Sequence, residues 1–183
     1  MFQVTIGEYY LNLVSEGLPD LYNEYKSRAI LVDEIDIRNS EGKNCFVSIG
    51  RNNDWPFLVV AQRYAPFGCG FNPGILLIPE TNMLFVGAGE RLLCYDLLKP
   101  RRIWEDFTQV GFLHWSQFKK FILMSAETEF AVWNQEGKKM WSTFVEPPWD
   151  YKIVNGEIVL DIMGIKTIFE IETGRKRVRW KCS

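Results

Sequence analysis

The chain has 183 residues, of which 47% are hydrophobic and 15% aromatic, so it is long enough for one well-buried core and short for two independent domains. A charged fraction of 24% and a net charge of -2 argue against a general nucleic-acid or polyanion partner. No stretch approaches the ~20 apolar residues of a membrane span, and MFQVTIGEYY lacks the pattern of a secretory signal, which predicts a cytoplasmic protein.

The first 73 residues indicate a divergent β region. Apolar residues at helical spacing in SEGLPDLYNEYKSR predict one short helix, which starts after Pro19 because proline would interrupt a longer one. Ile35 and Ile37 alternate with acidic residues, so we expect them on one face of a half-exposed strand. Five stretches have strand composition: FQVTI, EYYLNLV, AILVDEIDI, CFVSI and FLVVAQRY. Residues 1–73 should therefore form a fourth sheet or a cap for the rest of the chain.

The segment RYAPFGCGFNPG, residues 63–74, is rich in glycine, proline and aromatic residues. One interpretation is a connector whose aromatic side chains pack on the core. The other is a shaped loop that presents them to a ligand or a partner, since irregular loops on rigid scaffolds often carry binding. The candidate binding residues are Arg63, Tyr64, Phe67 and Phe71, together with Trp149 from the linker VEPPWDY.

The rest of the chain repeats one sequence pattern three times. A short alternating run leads into a turn, then basic residues, then a tryptophan: RLLCYDLLKPRRIW from Arg91, EFAVWNQEGKKMW from Glu129 and TIFEIETGRKRVRW from Thr167. The closing residues Trp104, Trp141 and Trp180 are 37 and 39 residues apart. A fixed period of this length is typical of a repeat architecture.

Each repeat divides into four short runs that are rich in β-branched and aromatic residues and are bounded by turn sequences. The Asn-Gly of VNGE and the Thr-Gly of ETGR supply tight reversals in the third repeat. Four antiparallel strands in under 40 residues make one small sheet, which must stack on its neighbours to bury both faces. We expect the three tryptophans to pack between successive sheets.

These units resemble the blades of quinoprotein-like β-propellers, in which the third strand ends in Asp-x-x-Thr-Gly and the fourth carries Trp. The resemblance covers residues 74–183 and is partial. Tyr95, Asp96 and Trp104 match in the first repeat, Asn134, Gly137 and Trp141 fill the corresponding places in the second, and Glu172, Thr173, Gly174 and Trp180 match in the third. Three blades cannot close a ring around a quinone, so the resemblance implies the blade architecture, with no cofactor and no dehydrogenase activity.

The predicted fold is all-β with a minor helical part, built from antiparallel four-stranded sheets in a small or partial propeller-like arrangement. The chain is expected to be a single domain, residues 1–183, with repeats at 74–110, 111–149 and 150–183. A closed ring of four sheets, in which the N-terminal region contacts both the first and the third repeats, is the preferred form. A β-sandwich with an appended repeat sheet is the alternative.

Patterns for catalysis and metal binding do not assemble in the sequence. MLFVGAGERLL has a Gly-x-Gly after a strand, but the third glycine of a dinucleotide-binding motif is replaced by Leu92. The single histidine, His114, lies in an alternating run and is expected to be structural or exposed. The four cysteines lack C-x-x-C spacing and are expected to be free and buried: Cys45, Cys69, Cys94 and Cys182. We predict no catalytic residue, no metal and no cofactor.

Two functions remain open at this stage. The first is a non-enzymatic protein that binds another macromolecule on a propeller-like scaffold, with another protein as the expected partner. The second is a small-ligand-binding protein or an enzyme with a pocket near residues 63–74. The basic strand GRKRVRWK could contact nucleic acid, but a charged last strand is more often protection against edge-to-edge pairing, so nucleic acid and membrane are not expected partners.

Overall fold

The computed structural model of the protein describes residues 2–39, 41–52, 54–65 and 71–177. In these parts of the chain the backbone forms four β-sheets and one short helix, which confirms the predicted all-β class. Trp180 and the basic strand end, Cys69, Cys182 and Phe67 lie outside the described residues.

The first sheet has five strands in the order β1-β2-β4-β5-β3. Its strands are β1 (Phe2–Ile6), β2 (Tyr9–Val14), β3 (Leu31–Ile35), β4 (Lys43–Arg51) and β5 (Leu58–Tyr64). The antiparallel pairing predicted for the repeat sheets does not extend to the whole of this divergent sheet, because β3 pairs with β5 in parallel. The helix α1 (Tyr22–Arg28) crosses one face of the sheet between β2 and β3 and so delivers β3 to the same end at which β5 starts.

Helix α1 covers the outer face of the first sheet. It begins after Pro19, as predicted, and its Tyr22 and Tyr25 pack on Phe46 at ring distances of 5.9 Å each. Lys26 and Arg28 occupy the last turn, where positive charge favours the helix dipole. Seven residues are too few for an independently stable helix, so α1 depends on this packing.

The alternation predicted for Ile35 and Ile37 does not continue past β3. Asp36 has a φ of 54°, in the left-handed region, which ends the strand and turns the following side chain to the opposite face of the sheet. Ile35 packs between the first two sheets, whereas Ile37 packs with α1 on the opposite face. The two isoleucines therefore belong to different hydrophobic clusters.

The three repeats form three antiparallel sheets of four strands each, paired in chain order. The second sheet contains β6 (Gly74–Ile78), β7 (Met83–Ala88), β8 (Arg91–Asp96) and β9 (Arg101–Phe107). The third contains β10 (Phe112–Phe118), β11 (Phe121–Ala126), β12 (Glu129–Asn134) and β13 (Lys139–Phe144). The fourth contains β14 (Trp149–Val154), β15 (Glu157–Ile162), β16 (Ile165–Glu170) and β17 (Lys176–Arg177).

The turns of the fourth sheet follow the predicted chemistry. Asn155 and Gly156 have φ values of 52° and 80°, as a two-residue type I′ hairpin requires, and they connect β14 to β15. Left-handed geometry at both positions explains why the sequence places Asn-Gly there.

Hydrophobic clusters join each sheet to the next one along the chain. One lies between the first and second sheets, one between the second and third, and one between the third and fourth. Among the described residues no hydrophobic cluster contains residues of both the first and the fourth sheets. The sheets thus form an open row that corresponds to the partial propeller, and the described residues form neither the closed ring nor the β-sandwich.

Trp104 and Trp141 occupy equivalent places on the fourth strands of successive sheets. Each lies beside a β-bulge, opposite Cys94 in the second sheet and Val132 in the third. We call the contact between two successive sheets a seam. Each indole N–H donates across a seam to a carbonyl oxygen of the next sheet, Trp104 Nε1 to Gly137 O at 2.5 Å and Trp141 Nε1 to Ile171 O at 2.7 Å. The expected role of these tryptophans between sheets is confirmed for the two that the structure describes.

A glycine turn in the next sheet makes room for each tryptophan. A Cβ at Gly174 would lie 2.6 Å from the Trp141 ring, and one at Gly137 would lie 3.0 Å from Cys94 Sγ and 3.4 Å from Trp104 Nε1. Both glycines also have positive φ, 66° and 81°, which other residues rarely adopt. The Gly of the repeated turn and the Trp of the repeated strand are thus two halves of one contact.

Charged residues cover the outer face of the fourth sheet, which no other described sheet packs against. Strand alternation and register place them around Val159 and Ile168: Asp150, Lys152, Glu157, Asp161, Lys166, Glu170 and Arg177. The equivalent β11 positions of the third sheet are the buried Phe121 and Leu123, which face the fourth sheet. A polar outer face is what the terminal unit of a repeat stack requires. Helix α1 therefore covers the outer face of the first sheet, and charged side chains occupy the outer face of the fourth.

Candidate binding surface

The long axes of the sheets define two ends of the molecule. The connection end carries the chain segments that lead from one sheet to the next and the turns between the second and third strands of each repeat. Backbone hydrogen bonds hold this end together. Phe112 N of the third sheet donates to Gly89 O of the second sheet at 2.6 Å. Glu127 N and Met163 N donate to Gly111 O and Pro148 O, in the connections that lead into the third and fourth sheets, at 3.1 Å and 3.2 Å. The hairpin end carries the remaining turns of the repeats.

Exposed apolar side chains recur at the connection end. Phe107 and Phe144 end the fourth strands of the second and third sheets, at positions opposite Arg91 and Glu129, and they are 55% and 64% exposed. Ile165, at the start of β16, is 73% exposed at the third seam. We call these three residues the apolar row, since they place one large exposed side chain at each seam between sheets.

Carboxylates accompany the apolar row. In the repeat turns and connections of the connection end the charged residues are Glu90, Glu127 and Glu146, all acidic. None of the three has an ion-pair partner within the part of the chain that the structure describes. At the hairpin end the repeat turns instead carry both signs, with cations in excess: Lys99, Lys119, Lys120, Lys138 and Arg175 against Glu80, Glu136 and Glu172.

A cleft of about 470 Å³ opens at the connection end of the first seam. It is lined by Asp36, Asn39, Glu41, Gly42, Arg63, Tyr64, Ala65, Ala88, Glu90, Arg91 and Phe107. The guanidinium of Arg91 lies between Asp36 and Glu105, at 2.8 Å from each carboxylate, and 5.5 Å from the centre of the Phe107 ring. The apolar row therefore begins in the wall of this cleft.

Arg63 and Tyr64, two of the predicted site residues, line the cleft. Arg63 donates to the carbonyl oxygens of Glu41 and Gly42, the latter at 2.9 Å, so its guanidinium holds the loop before β4 in place. Tyr64 donates its hydroxyl to Ser15 O at 2.9 Å, and burial raises the pKa of this phenol. Both side chains shape the cleft wall.

Phe71 and Trp149 lie elsewhere on the connection end. The Phe71 ring packs against Gly111 in the connection between the second and third sheets. Trp149 is half-buried at the third seam, where its Nε1 donates to Glu127 O at 2.8 Å and its ring meets Phe130 edge-on at 6.0 Å. The four predicted site residues that the structure describes thus share one end of the molecule. Of these four, only Arg63 and Tyr64 lie together, and Trp149 contributes a packing contact.

The apolar row was absent from the sequence-based candidates, although the sequence contains a signal for it. The second and third sheets end in Trp-Glu-Asp-Phe and Trp-Ser-Thr-Phe, so an aromatic residue follows each repeated tryptophan by three positions. Strand alternation places residues three apart on opposite faces of a strand. A phenylalanine in that position cannot join its tryptophan in the next seam.

Other sequence candidates have structural explanations. His114 is exposed and its ring lies parallel to Tyr151, with centroids 6.5 Å apart, while partial burial lowers its pKa. Cys45 and Cys94 are free and buried, as predicted, and burial raises the pKa of each thiol to about 12. Among the described residues no group of His, Cys, Asp and Glu side chains is placed to hold a metal ion, and no helix has the length and apolar character needed to cross a membrane.

No protein-family model and no curated protein sequence matches the chain. Solved structures that the chain matches include the computationally designed protein Ika4, with 15% identity over 59% of this chain and 71% of that chain and a TM-score of 0.44. Hsv2p of Kluyveromyces lactis matches with 14% identity over 74% of this chain and 42% of its own, at a TM-score of 0.42. A europium-containing methanol dehydrogenase matches with 12% identity over 56% and 23%, at a TM-score of 0.40.

The chain spans less than half the length of the methanol dehydrogenase and Hsv2p chains that it matches. The resemblance lies at the level of the repeated four-stranded sheet.

Proposed function

We propose that this protein is a non-enzymatic scaffold that binds another protein through its connection end. The observation that carries the proposal is the apolar row: Phe107, Phe144 and Ile165 are each more than half exposed, one at each seam. Single exposed apolar residues are normal on protein surfaces, but their recurrence at the same end of successive sheets favours a contact surface. Aromatic residues are also enriched at protein interfaces.

The position of the row supports the same function. Its residues sit on strands held by neighbouring sheets, so a partner would meet a surface that needs little ordering before it binds. The four sheets provide the rigid frame, and the connection end presents side chains that the fold does not bury.

Affinity capture with matched variants tests the proposal. Phe107→Ser and Phe144→Ser are combined in one protein, and Leu98→Ser and Val154→Ser, which replace exposed apolar residues at the hairpin end, are combined in the control. We expect proteins enriched by the wild type and the control to be depleted by the first variant. Equal capture by all three proteins would contradict binding through the connection end.

A small-ligand-binding protein or an enzyme remains the second candidate, because the cleft at the first seam brings Arg63 and Tyr64 beside several carboxylates. Mass spectrometry of small molecules that co-purify with the native protein, compared with a Tyr64→Ala variant, tests it. A single compound retained by the wild type and lost in the variant would favour this function over protein binding. The cytoplasmic location and the absence of nucleic-acid partners remain predictions from the sequence.

A further inference from the structure

We propose that the partner segment is basic and amphipathic: it lays apolar side chains along the apolar row and inserts a lysine or arginine side chain into the cleft at the first seam. This inference rests on the proposed function and adds the chemistry of the partner. It follows from which charges at the connection end are already paired and which are not.

The cations of the cleft are already engaged. Arg91 is held between Asp36 and Glu105, and Arg63 donates to backbone carbonyls of the loop before β4. Arg38, in the same loop region, lies near Glu34 and is not part of the cleft wall. Among the described residues of the cleft wall, no cation is therefore directed at a new ligand.

The carboxylates of Glu41 and Glu90 are different. Both residues are exposed, both line the cleft, and neither has an ion-pair partner among the described residues. A lysine or arginine side chain entering between them would gain two opposite charges and would lie against the rings of Tyr64 and Phe107. Phe107 already accepts the guanidinium of Arg91 at 5.5 Å, which shows that its ring can face a cation.

The carboxylates beyond the cleft extend the same complementarity. Glu127 and Glu146 lie in the turn and the connection that follow along the row, at the second and third seams. A segment with further basic residues would meet them in turn, while apolar residues between would contact Phe144 and Ile165. An acidic segment or a nucleic-acid backbone would be repelled at each of these positions.

Fluorescence anisotropy with designed peptides tests the inference. The probes are three labelled 12-residue peptides, one alternating Lys and Leu, one alternating Glu and Leu, and one alternating Lys and Ser. We expect the Lys-Leu peptide to bind, with affinity that falls as salt rises, and the other two to bind at least tenfold more weakly, since each lacks one half of the complementarity.

Matched variants locate the binding. Glu41→Gln with Glu90→Gln should weaken the Lys-Leu peptide about three- to tenfold, whereas Glu80→Gln with Glu136→Gln, the control at the hairpin end, should leave it within twofold. Equal effects of the two variants, or no binding of the Lys-Leu peptide, would overturn the inference. Preferred binding of the Glu-Leu peptide would do so as well.

The outcomes separate this inference from the proposed function. If affinity capture depends on Phe107 and Phe144 but the carboxylate variants leave peptide binding unchanged, the connection end binds protein and the charge assignment is wrong. Concentration-dependent self-association of the wild type, abolished by Glu41→Gln with Glu90→Gln, would identify the occupant as the basic hairpin end of a second copy and would also reject a separate partner.

Discussion

Each repeat sheet contacts the sheet before it through an equivalent aromatic residue on its third strand. The contact is a hydrogen bond at the first seam and ring stacking at the later seams. Tyr95, Trp133 and Phe169 are equivalent residues on the third strands of the three repeat sheets, opposite Leu84, Ile122 and Ile158. Trp104 stacks on Trp133 at 5.8 Å, and Trp141 stacks on Phe169 at 5.7 Å. Tyr95 instead donates its hydroxyl to Asp33 of the first sheet at 2.9 Å.

The difference continues at the hairpin end of the first seam. Arg51 donates to Leu97 O at 3.2 Å, and the Tyr9 hydroxyl donates to Asn82 Oδ1. These hydrogen bonds join the first and second sheets, as the indole N–H bonds of Trp104 and Trp141 join the later sheets. Where the repeated sequence pattern is present, a tryptophan and a glycine form the contact between sheets. In the first sheet the pattern is missing, and several individual polar contacts replace this pair.

The largest expected effect comes from removing the first sheet. A fragment of residues 61–183 would expose the face of the second sheet that carries Leu84, Val86, Leu93 and Tyr95, all fully buried in the whole chain. We expect this fragment to be insoluble or oligomeric in size-exclusion chromatography. A soluble monomer that unfolds cooperatively would show that the repeats do not need the first sheet.

Trp141→Ala should destabilise the protein by about 3–5 kcal/mol, as truncation of a large packed aromatic residue does. The ring stacks on Phe169, and the indole N–H bonds across the seam. A denaturant titration measures the change. A loss below about 1 kcal/mol would mean that the ring contributes little to the seam, and Trp141→Phe, which keeps a ring and loses the hydrogen bond, serves as the comparison.

Tyr95→Phe tests the polar counterpart at the first seam. Burial, together with the hydrogen bond to the Asp33 carboxylate, raises the pKa of Tyr95 far above its ordinary value. Removing the hydroxyl leaves the largely buried Asp33 with Arg102 at 3.2 Å as its remaining partner, so we expect a loss of about 1–3 kcal/mol. Unchanged stability would indicate that the seam depends on hydrophobic packing alone.

Alkaline pH should weaken the protein through its buried thiols. The folded pKa of Cys94 is raised to about 12, above the value of about 8.5 in an unfolded chain, so its contribution is complete below pH ~8.5 and is lost as pH rises toward 12. The slope is at most about 1.4 kcal/mol per pH unit for one thiol. Cys94→Ala should reduce the fall in unfolding free energy between pH 8.5 and 10, and an unchanged slope would contradict this assignment.

The sequence predicted those features that depend on local pattern and repetition. The 37-residue spacing of Trp104 and Trp141 predicted equivalent strands, and Asn155-Gly156 predicted a tight hairpin, because both are encoded within one repeat. The parallel pairing of β3 could not be predicted, since it depends on how α1 crosses the sheet. The first seam was equally hidden, because Asp33 and Tyr95 meet only in the folded chain.

The candidate surface was only partly predictable for a related reason. Arg63 and Tyr64 were selected from an irregular segment, and they do line a cleft. The exposure of Phe107 and Phe144 depends on the strand register at a bulge and on which face the next sheet covers. The repeated pattern predicted packing between sheets for the tryptophans of these strands and made no prediction for the phenylalanines.

A double-mutant cycle between Trp141 and Gly174 tests the account of the seams most directly. Gly174→Ala introduces a Cβ 2.6 Å from the Trp141 ring at a positive φ, whereas Gly164→Ala, at a φ of 86° with open space around it, measures the backbone strain alone. We predict that Gly174→Ala costs more than Gly164→Ala in the wild type by at least about 1 kcal/mol, and that the excess disappears in the Trp141→Ala protein. An excess of the same size in both backgrounds would show that the turn glycine and the tryptophan are not parts of one contact.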